Sequence, residues 1–149
     1  SANFDLMRNG LANAIADGTI VPQGGSVEIS AVQFGSGVTT YVDPTVIASQ
    51  GAADAVANAL RSMPKLGGTT NMAAAVSACA ALITGSCGTS RQVINLVTDG
   101  APDDASAAVA ARNSAVAAGV DEINAEAVAA PGGAVDFLRD QLVYPGPGY

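Results

Sequence analysis

The sequence has no histidine and no tryptophan, and it has only two cysteines and six basic residues among 149. The absence of histidine excludes Ser-His-Asp and Cys-His catalysis, histidine-ligated zinc and histidine proton shuttles. Two cysteines without histidine do not supply the roughly four ligands of a zinc site. Aromatic residues are 4% of the chain and hydrophobic residues 49%. The core must therefore consist mainly of alanine, valine, isoleucine and leucine.

Basic charge is also scarce, since the net charge is −7 and no cluster of lysine or arginine occurs. Nucleic acid and anionic membrane surfaces are therefore poor partners, whereas a cation or a basic protein surface is more compatible. No apolar run reaches the ~18 residues that a membrane span needs. The chain also lacks a Gly-x-Gly-x-x-Gly motif after a strand, a phosphate-binding Gly-Lys-Ser/Thr loop and a nucleophile elbow. These absences predict a protein that is not an enzyme.

Hydrophobic periodicity predicts an α/β chain, and its length fits one domain. Apolar residues at helical spacing predict helices over residues 3–17, 50–62, from about 71, 104–118 and 134–142. Shorter β-branched or alternating runs predict strands over residues 26–34, 38–42, 92–98 and 121–129. The dipeptide Asp43-Pro44 is expected to end the second strand.

The order of these elements predicts a doubly wound, mostly parallel sheet with helices on both faces. The short link Gly35-Ser36-Gly37 predicts one antiparallel edge strand. The predicted inward-facing stripes are Phe4, Met7, Leu11 and Ile15 in the first helix and Ala53, Val56, Leu60 and Met63 in the second. We expect residues 1–143 to form one domain and residues 144–149 to form a Pro/Gly-rich tail.

Two loops carry candidate functional residues. The apolar strand ends at Asp99-Gly100, and open α/β sheets place their ligand sites at the carboxyl ends of such strands. The segment Gly67-Gly68-Thr69-Thr70-Asn71 precedes the third helix. Each loop also has a purely structural interpretation, because Thr70 or Asn71 could cap the third helix and Asp99-Gly100 could be only a turn.

Together, and in this order, the two loops resemble those of the von Willebrand factor type A domain, and the chain looks nearest to bacterial exported members. That family has a doubly wound sheet with an antiparallel edge strand, and its metal-ion-dependent adhesion site uses three loops. Gly67 to Asn71 matches the second loop, where Thr70 fits the ligand position best and Thr69 is the alternative. Asp99-Gly100 matches the third loop. The resemblance implies that these threonines and Asp99 bind Mg²⁺, or Mn²⁺ or Ca²⁺, through oxygen ligands.

The same resemblance implies a non-enzymatic protein-binding or adhesion module that is secreted or displayed on the cell surface. In such a site the ion accepts a carboxylate from a partner protein as a further ligand. The alternative function is a structural subunit of an extracellular filament or matrix. In that case identical subunits assemble by strand complementation, and no metal is required.

The family's first loop, Asp-x-Ser-x-Ser, and the central strand before it have no counterpart in this sequence. A buried central strand carries about four or five large apolar side chains worth ~1.5–3 kcal/mol each, and their sum rivals the stability of a whole domain. We therefore expect this strand to come from a longer chain, from a cleaved fragment that stays bound, or from another subunit. Without the first loop, the resemblance leaves open whether the chain binds a metal.

Cys79 and Cys87 are separated by a spacing that permits a small disulfide-closed loop, with Gly85 and Gly88 nearby. The exported setting that the resemblance implies favours this disulfide. Two free thiols are the alternative, in which Cys79 is an ordinary residue on an apolar helix face.

Overall fold

The computed structural model describes residues 2–86 and 90–146. The elements in chain order are α1 (Ala2–Ala16), β1 (Glu28–Phe34), β2 (Val38–Val46), α2 (Gln50–Ser62), α3 (Met72–Ser86), β3 (Val93–Thr98), α4 (Ala105–Ala117), β4 (Glu122–Ala127), α5 (Gly132–Phe137) and a π-helical segment, Leu138–Leu142. The described strands form two two-stranded sheets, β1 with β2 and β3 with β4. The predicted α/β fold class is confirmed. No helix within these ranges is long and apolar enough to cross a membrane.

The chain divides into two compact units, and the first comprises residues 2–32 and 40–65. Its helix α2 begins at Gln50, because Ser49 Oγ accepts the Ala52 N–H at 3.2 Å. The predicted stripe of α2 is confirmed, since its four members are all buried. In α1 the prediction was less accurate, because Ala12 is fully buried whereas Leu11 is 36% exposed. Ala12 belongs to the core that contains the buried residues of α2, and Phe4 and Ile15 of the predicted stripe are partly buried against it.

The β1–β2 pair is joined by a link of three residues, a length that only antiparallel strands permit. The Gly35 N–H donates to the Gly37 carbonyl oxygen at 2.9 Å and closes this link, as predicted. The predicted end of β2 at Asp43-Pro44 is wrong, because the strand continues to Val46. Proline lacks an N–H donor, but it is tolerated on a strand with a free edge, and among the described strands β2 pairs only with β1.

The second unit comprises residues 33–39, 66–86 and 90–146, and the parallel pair β3–β4 lies in it. Side chains alternate between the two faces of a strand. On one face, Ile94, Leu96 and Ile123 are at most 5% exposed and belong to a core shared with α3, α4 and α5. On the other face, the side chains of Asn95 and Asn124 hydrogen-bond at 3.0 Å. The pair therefore has one apolar and one largely polar face.

Helix α4 packs against α3 through small side chains. It begins after Asp104, whose carboxylate accepts the Ala107 N–H at 2.9 Å. Its buried residues are all alanines: Ala108, Ala111 and Ala115. Because alanine has no side chain beyond Cβ, these positions let α4 lie close to α3.

The segment after β4 was predicted as one helix over residues 134–142, but it has two parts. An α-helix covers Gly132–Phe137, and the following turn is a π-helix in which the Val143 N–H donates to the Leu138 carbonyl oxygen at 3.1 Å. Tyr144 then pairs antiparallel with Ile123, through two backbone hydrogen bonds of 2.9 Å. Tyr144 thereby occupies the outer edge of β4 near its start.

Candidate functional site

The loop before α3 is bound to the loop after β3 by two reciprocal hydrogen bonds. The Thr70 N–H donates to Asp103 Oδ1 at 2.7 Å, and the Asp103 N–H donates to the Thr70 carbonyl oxygen at 3.0 Å. Asn71, rather than Thr70, caps α3, because its Oδ1 accepts the Ala74 N–H at 3.1 Å. The capping interpretation therefore applies to Asn71 and leaves the Thr70 side chain available for another role.

The β1–β2 link holds the same loop from another side. Ser36 Oγ accepts the Thr69 N–H at 2.9 Å and lies 3.3 Å from Thr69 Oγ1, and the Asn71 N–H donates to the Gly35 carbonyl oxygen at 2.9 Å. Gly68 makes this approach possible, because its φ is +97° and a Cβ on it would lie 2.9 Å from Ser36 Cβ. The Thr69 hydroxyl consequently faces Ser36.

Thr98, the last residue of β3, shapes the turn that carries Asp99. Its hydroxyl oxygen accepts the Gly100 N–H at 3.2 Å and lies 3.3 Å from the Gly100 carbonyl oxygen. Thr98 is 4% exposed, whereas Asp99 is exposed at the end of the strand. A buried hydroxyl thus fixes a turn whose carboxylate faces solvent.

These contacts bring Thr70 to the Asp99-Gly100 turn. A Cβ built on Gly100 would lie 3.3 Å from Thr70 Oγ1, so the hydroxyl lies beside the residue that follows Asp99. The structure therefore brings two of the three predicted ligand residues, Thr70 and Asp99, to neighbouring positions. It places the third, Thr69, against Ser36 instead.

The donor chemistry of this region suits a hard cation in part. Hydroxyl and carboxylate oxygens are the ligands that Mg²⁺ and Mn²⁺ prefer, and Thr70 and Asp99 present one of each. Within residues 2–86 and 90–146, however, no three carboxylate or thiol side chains are grouped for metal binding. The residues therefore fit a portion of an octahedral ligand shell, and the other ligands would have to be water or groups from outside this sequence.

Sequence reasoning missed Ser36, Thr98 and Asp103, which hold the site together. The Thr98 contact could have been found, because a threonine two residues before glycine is a common turn pattern. The other two contacts have no local signal, since each joins residues 33 positions apart in the chain.

The predicted Cys79–Cys87 disulfide stays a prediction, because Cys87 lies outside the described residues. Cys79 is half-buried in α3. Its burial raises the pKa of the thiol to about 11, since the neutral thiol is favoured where the thiolate loses its hydration.

A cavity of about 510 Å³ lies at the opposite end of the β3–β4 pair from Thr70 and Asp99. Arg91 and Gln92 at the start of β3, and Gly119 and Asp121 between α4 and β4, contribute to its lining. Thr69, Thr70 and Asp99 do not line this cavity, so it does not support their assignment as ligands.

The sequence model of the family described as a protein of unknown function, DUF1194, matches residues 1–145. The chain belongs to this family. No curated protein matches it.

Solved structures show which fold this DUF1194 chain has. The manganese-loaded TRAP protein of Plasmodium vivax is 19% identical with a TM-score of 0.65, over 93% of this chain and 54% of that one. An aerotolerance-related membrane protein of Bacteroides fragilis is 21% identical with a TM-score of 0.58, over 83% and 56%. The pilus adhesin SpaC of Lactobacillus rhamnosus GG is 20% identical with a TM-score of 0.53, over 64% and 12%.

These similarities confirm the predicted von Willebrand factor type A-like fold. The DUF1194 chain spans only 12% to 56% of the length of the three structures. Identities near 20% carry the fold and no particular ligand or partner.

Proposed function

We propose that this DUF1194 chain is a non-enzymatic extracellular or cell-surface module that binds a partner protein through an oxygen-liganded Mg²⁺ or Mn²⁺, with Ca²⁺ as a further possibility. The observation that carries the proposal is the 3.3 Å separation between Thr70 Oγ1 and the Cβ position of Gly100. It brings a hydroxyl from one loop to the turn that carries Asp99 on another. The exposed Asp99 carboxylate leaves room for a partner to approach.

In this proposal Thr70 supplies a hydroxyl oxygen and Asp99 a carboxylate oxygen, directly or through water. Thr69 is the second choice for the hydroxyl ligand, since its side chain faces Ser36. A divalent cation held there supplies electrophilicity toward a carboxylate of the partner protein. Because few of the protein ligands are charged, the cation keeps most of its positive charge. It therefore binds an incoming carboxylate more strongly.

Two further observations support an adhesive role. One similar structure is described as a pilus adhesin and another as manganese-loaded, and both share the fold of this chain. The net charge of −7 favours accumulation of cations near the protein surface.

A calorimetric titration of the intact protein with MnCl₂ tests the proposal. We expect saturable binding that weakens at least about tenfold in Asp99→Ala and in Thr70→Ala, because each loses a direct or orienting ligand. Asp43→Ala is the matched control, since Asp43 is an exposed carboxylate on β2. Equal affinity of the wild-type protein and Asp99→Ala for Mn²⁺ would sink the adhesion-site proposal.

A second candidate function rests on the free edge of β3. The Glu122 N–H donates to the Gln92 carbonyl oxygen at 3.2 Å, and the Val128 N–H donates to that of Thr98 at 2.9 Å. In a parallel pair with this register, alternate residues from Gln92 to Thr98 bond to β4. The backbone groups of Val93, Asn95 and Val97 then point away from β4, and no described strand pairs with them.

This edge favours the alternative in which identical subunits form a filament or matrix by strand complementation, without a metal. An extended segment of another subunit would bond to the free N–H and carbonyl groups of β3. Asn95→Pro removes one outward N–H and leaves the backbone bonds to β4 in place. Asn95→Ala is the matched control, because both changes lose the side-chain bond to Asn124. We expect electron microscopy to show chelator-insensitive polymers in Asn95→Ala and in wild type but not in Asn95→Pro. Monomers in all three proteins would contradict this candidate.

A further inference from the structure

Asp103 and Asp104 are adjacent in sequence but make different contacts. Asp104 Oδ1 accepts the Ala107 N–H and caps α4. Asp103 Oδ1 instead accepts the N–H of Thr70 at 2.7 Å, and its own N–H donates to the Thr70 carbonyl oxygen at 3.0 Å. Asp103 therefore satisfies both backbone hydrogen-bonding groups of one residue in a different loop.

The position of the Thr70 hydroxyl depends on this contact. The next residue, Asn71, is fixed by its N–H bond to Gly35 and by its cap on α3. On the other side of the loop Ser36 holds Thr69. The bonds to Asp103 orient the peptide groups of Thr70 itself, and its Oγ1 then lies against Gly100. A hydrogen bond to a carboxylate is stronger than one to a neutral oxygen, and this favours one arrangement of the loop.

We propose that Asp103 is a positioning residue, not a ligand, which fixes the Thr70 hydroxyl beside the Asp99-Gly100 turn and thereby raises the affinity of the site for a divalent cation. Only the second part of this inference, the effect on cation affinity, rests on the proposed metal-binding function. A ligand held in place before binding loses less conformational freedom when the ion arrives. Residues that orient metal ligands from outside the ligand shell typically contribute about 10–100-fold to metal affinity.

Three variants of the intact protein test the positioning role. Asp103→Ala removes the acceptor, and Asp103→Asn keeps an oxygen at the same place. Asp121→Ala is the matched control, because Asp121 Oδ2 accepts the Gln92 N–H at 2.8 Å at the far end of the same strand pair. Hydrogen-exchange mass spectrometry should show faster exchange of residues 66–71 in Asp103→Ala alone. In Asp121→Ala the faster exchange should be confined to the start of β3.

A titration with MnCl₂ of the same proteins tests the link to the ion. We expect affinity to fall about tenfold in Asp103→Ala, to be largely restored in Asp103→Asn and to be unchanged in Asp121→Ala. A merely structural role would lower stability in Asp103→Ala and Asp121→Ala alike and would leave metal affinity the same in both.

The two measurements separate the possible failures. Unchanged exchange of residues 66–71 in Asp103→Ala overturns the positioning role, whether or not the protein binds Mn²⁺. Faster exchange with unchanged Mn²⁺ affinity overturns the link between positioning and the ion. If the wild-type protein binds no Mn²⁺, the proposed function and this link fail together, and exchange in residues 66–71 still decides whether Asp103 positions Thr70.

Discussion

The two ends of the β3–β4 pair carry the same kind of contact, an aspartate that accepts a backbone N–H from another segment. At the carboxyl end Asp103 accepts the N–H of Thr70 at 2.7 Å, and at the amino end Asp121 accepts that of Gln92 at 2.8 Å. The Asp121 contact joins the starts of two strands that are already paired. The Asp103 contact joins two loops that lie outside the described strands. Equivalent bonds therefore stabilise strand register at one end and hold two loops together at the other.

The residues around the two aspartate contacts also differ between the two ends. At the amino end Tyr144 pairs with Ile123, and the guanidinium of Arg112 lies 5.3 Å from the Tyr144 ring centroid. Backbone pairing and an aromatic contact thus cover the outer edge of β4 there. At the carboxyl end the side chains of Thr69 and Asp99 are exposed. Arg91 and Asp121 are exposed at the amino end as well, so the two ends differ in construction: three separate loops meet at the carboxyl end, and paired strands begin at the amino end.

The largest expected difference in stability loss between the two ends comes from substituting one glycine at each end. Gly68→Ala should lower the free energy of unfolding by about 2–4 kcal/mol, because it combines an unfavourable φ with a clash against Ser36. Gly119→Ala should lower it by only about 1–2 kcal/mol, since Gly119 has φ +110° but no atom within 4 Å of its Cβ position. Denaturant unfolding of both variants measures the difference.

A double variant identifies the cause of the larger loss. Adding Ser36→Gly to Gly68→Ala removes the clashing side chain and should recover part of the lost stability, beyond what the two single changes predict by addition. Additive losses, or equal losses for Gly68→Ala and Gly119→Ala, would show that the approach of Ser36 to Gly68 is not a constraint on this loop.

Removal of the Thr98 hydroxyl is expected to cause a smaller loss of stability. Thr98→Val keeps the shape of the side chain but leaves the Gly100 N–H without its acceptor, which should lower the free energy of unfolding by about 1–2 kcal/mol. The same change should weaken Mn²⁺ binding, because the turn that carries Asp99 loses its internal bond. Thermal unfolding and calorimetry measure the two effects.

Thr84→Val is the control for Thr98→Val. The Thr84 hydroxyl donates to the Ala80 carbonyl oxygen within α3, a carbonyl that also lies in the helical hydrogen-bond pattern. Its loss should change stability by less than about 0.5 kcal/mol. If Thr84→Val costs as much as Thr98→Val, then a generic loss of a hydroxyl explains both results.

At the amino end Arg112 holds the C-terminal segment. Its Nη2 donates to the Val143 carbonyl oxygen at 3.1 Å, and its guanidinium contacts the Tyr144 ring. Arg112→Lys replaces the planar guanidinium by an ammonium group and should lower the free energy of unfolding by about 1 kcal/mol. Hydrogen exchange should then accelerate in residues 138–146 and remain unchanged in residues 66–71. Arg139→Lys, an exposed arginine paired with Asp136 and Asp140, should leave both regions unchanged.

The accuracy of sequence reasoning on this chain follows from how local each signal is. The buried stripe of α2, including Val56 and Leu60, was predicted because one helical period determines it. The continuation of β2 past Pro44 could not be predicted, since it depends on whether another strand pairs with that edge. Family resemblance anticipated that the loop of Thr70 and the Asp99-Gly100 turn lie together. The part played by Asp103 could not be anticipated, because its backbone contacts arise only when two distant loops meet.

The Cys79 thiol of α3 is expected to have the smallest effect on the free energy of unfolding at neutral pH. Burial raises the pKa of its thiol to about 11, above the value of about 8.5 in an unfolded chain. The folded protein therefore binds more protons than the unfolded chain between about pH 9 and 11. Under reducing conditions, the free energy of unfolding should fall as pH rises through that window, and this thiol contributes no pH dependence below it.

Cys79→Ala is the control, because only the difference between the two proteins reports on the thiol. The decline should be smaller in Cys79→Ala than in the reduced wild-type protein. Without reductant, a Cys79–Cys87 disulfide would abolish the titration of this thiol, and the two proteins would then lose stability in parallel. Parallel loss in the presence of reductant as well would contradict the burial of a neutral thiol in α3.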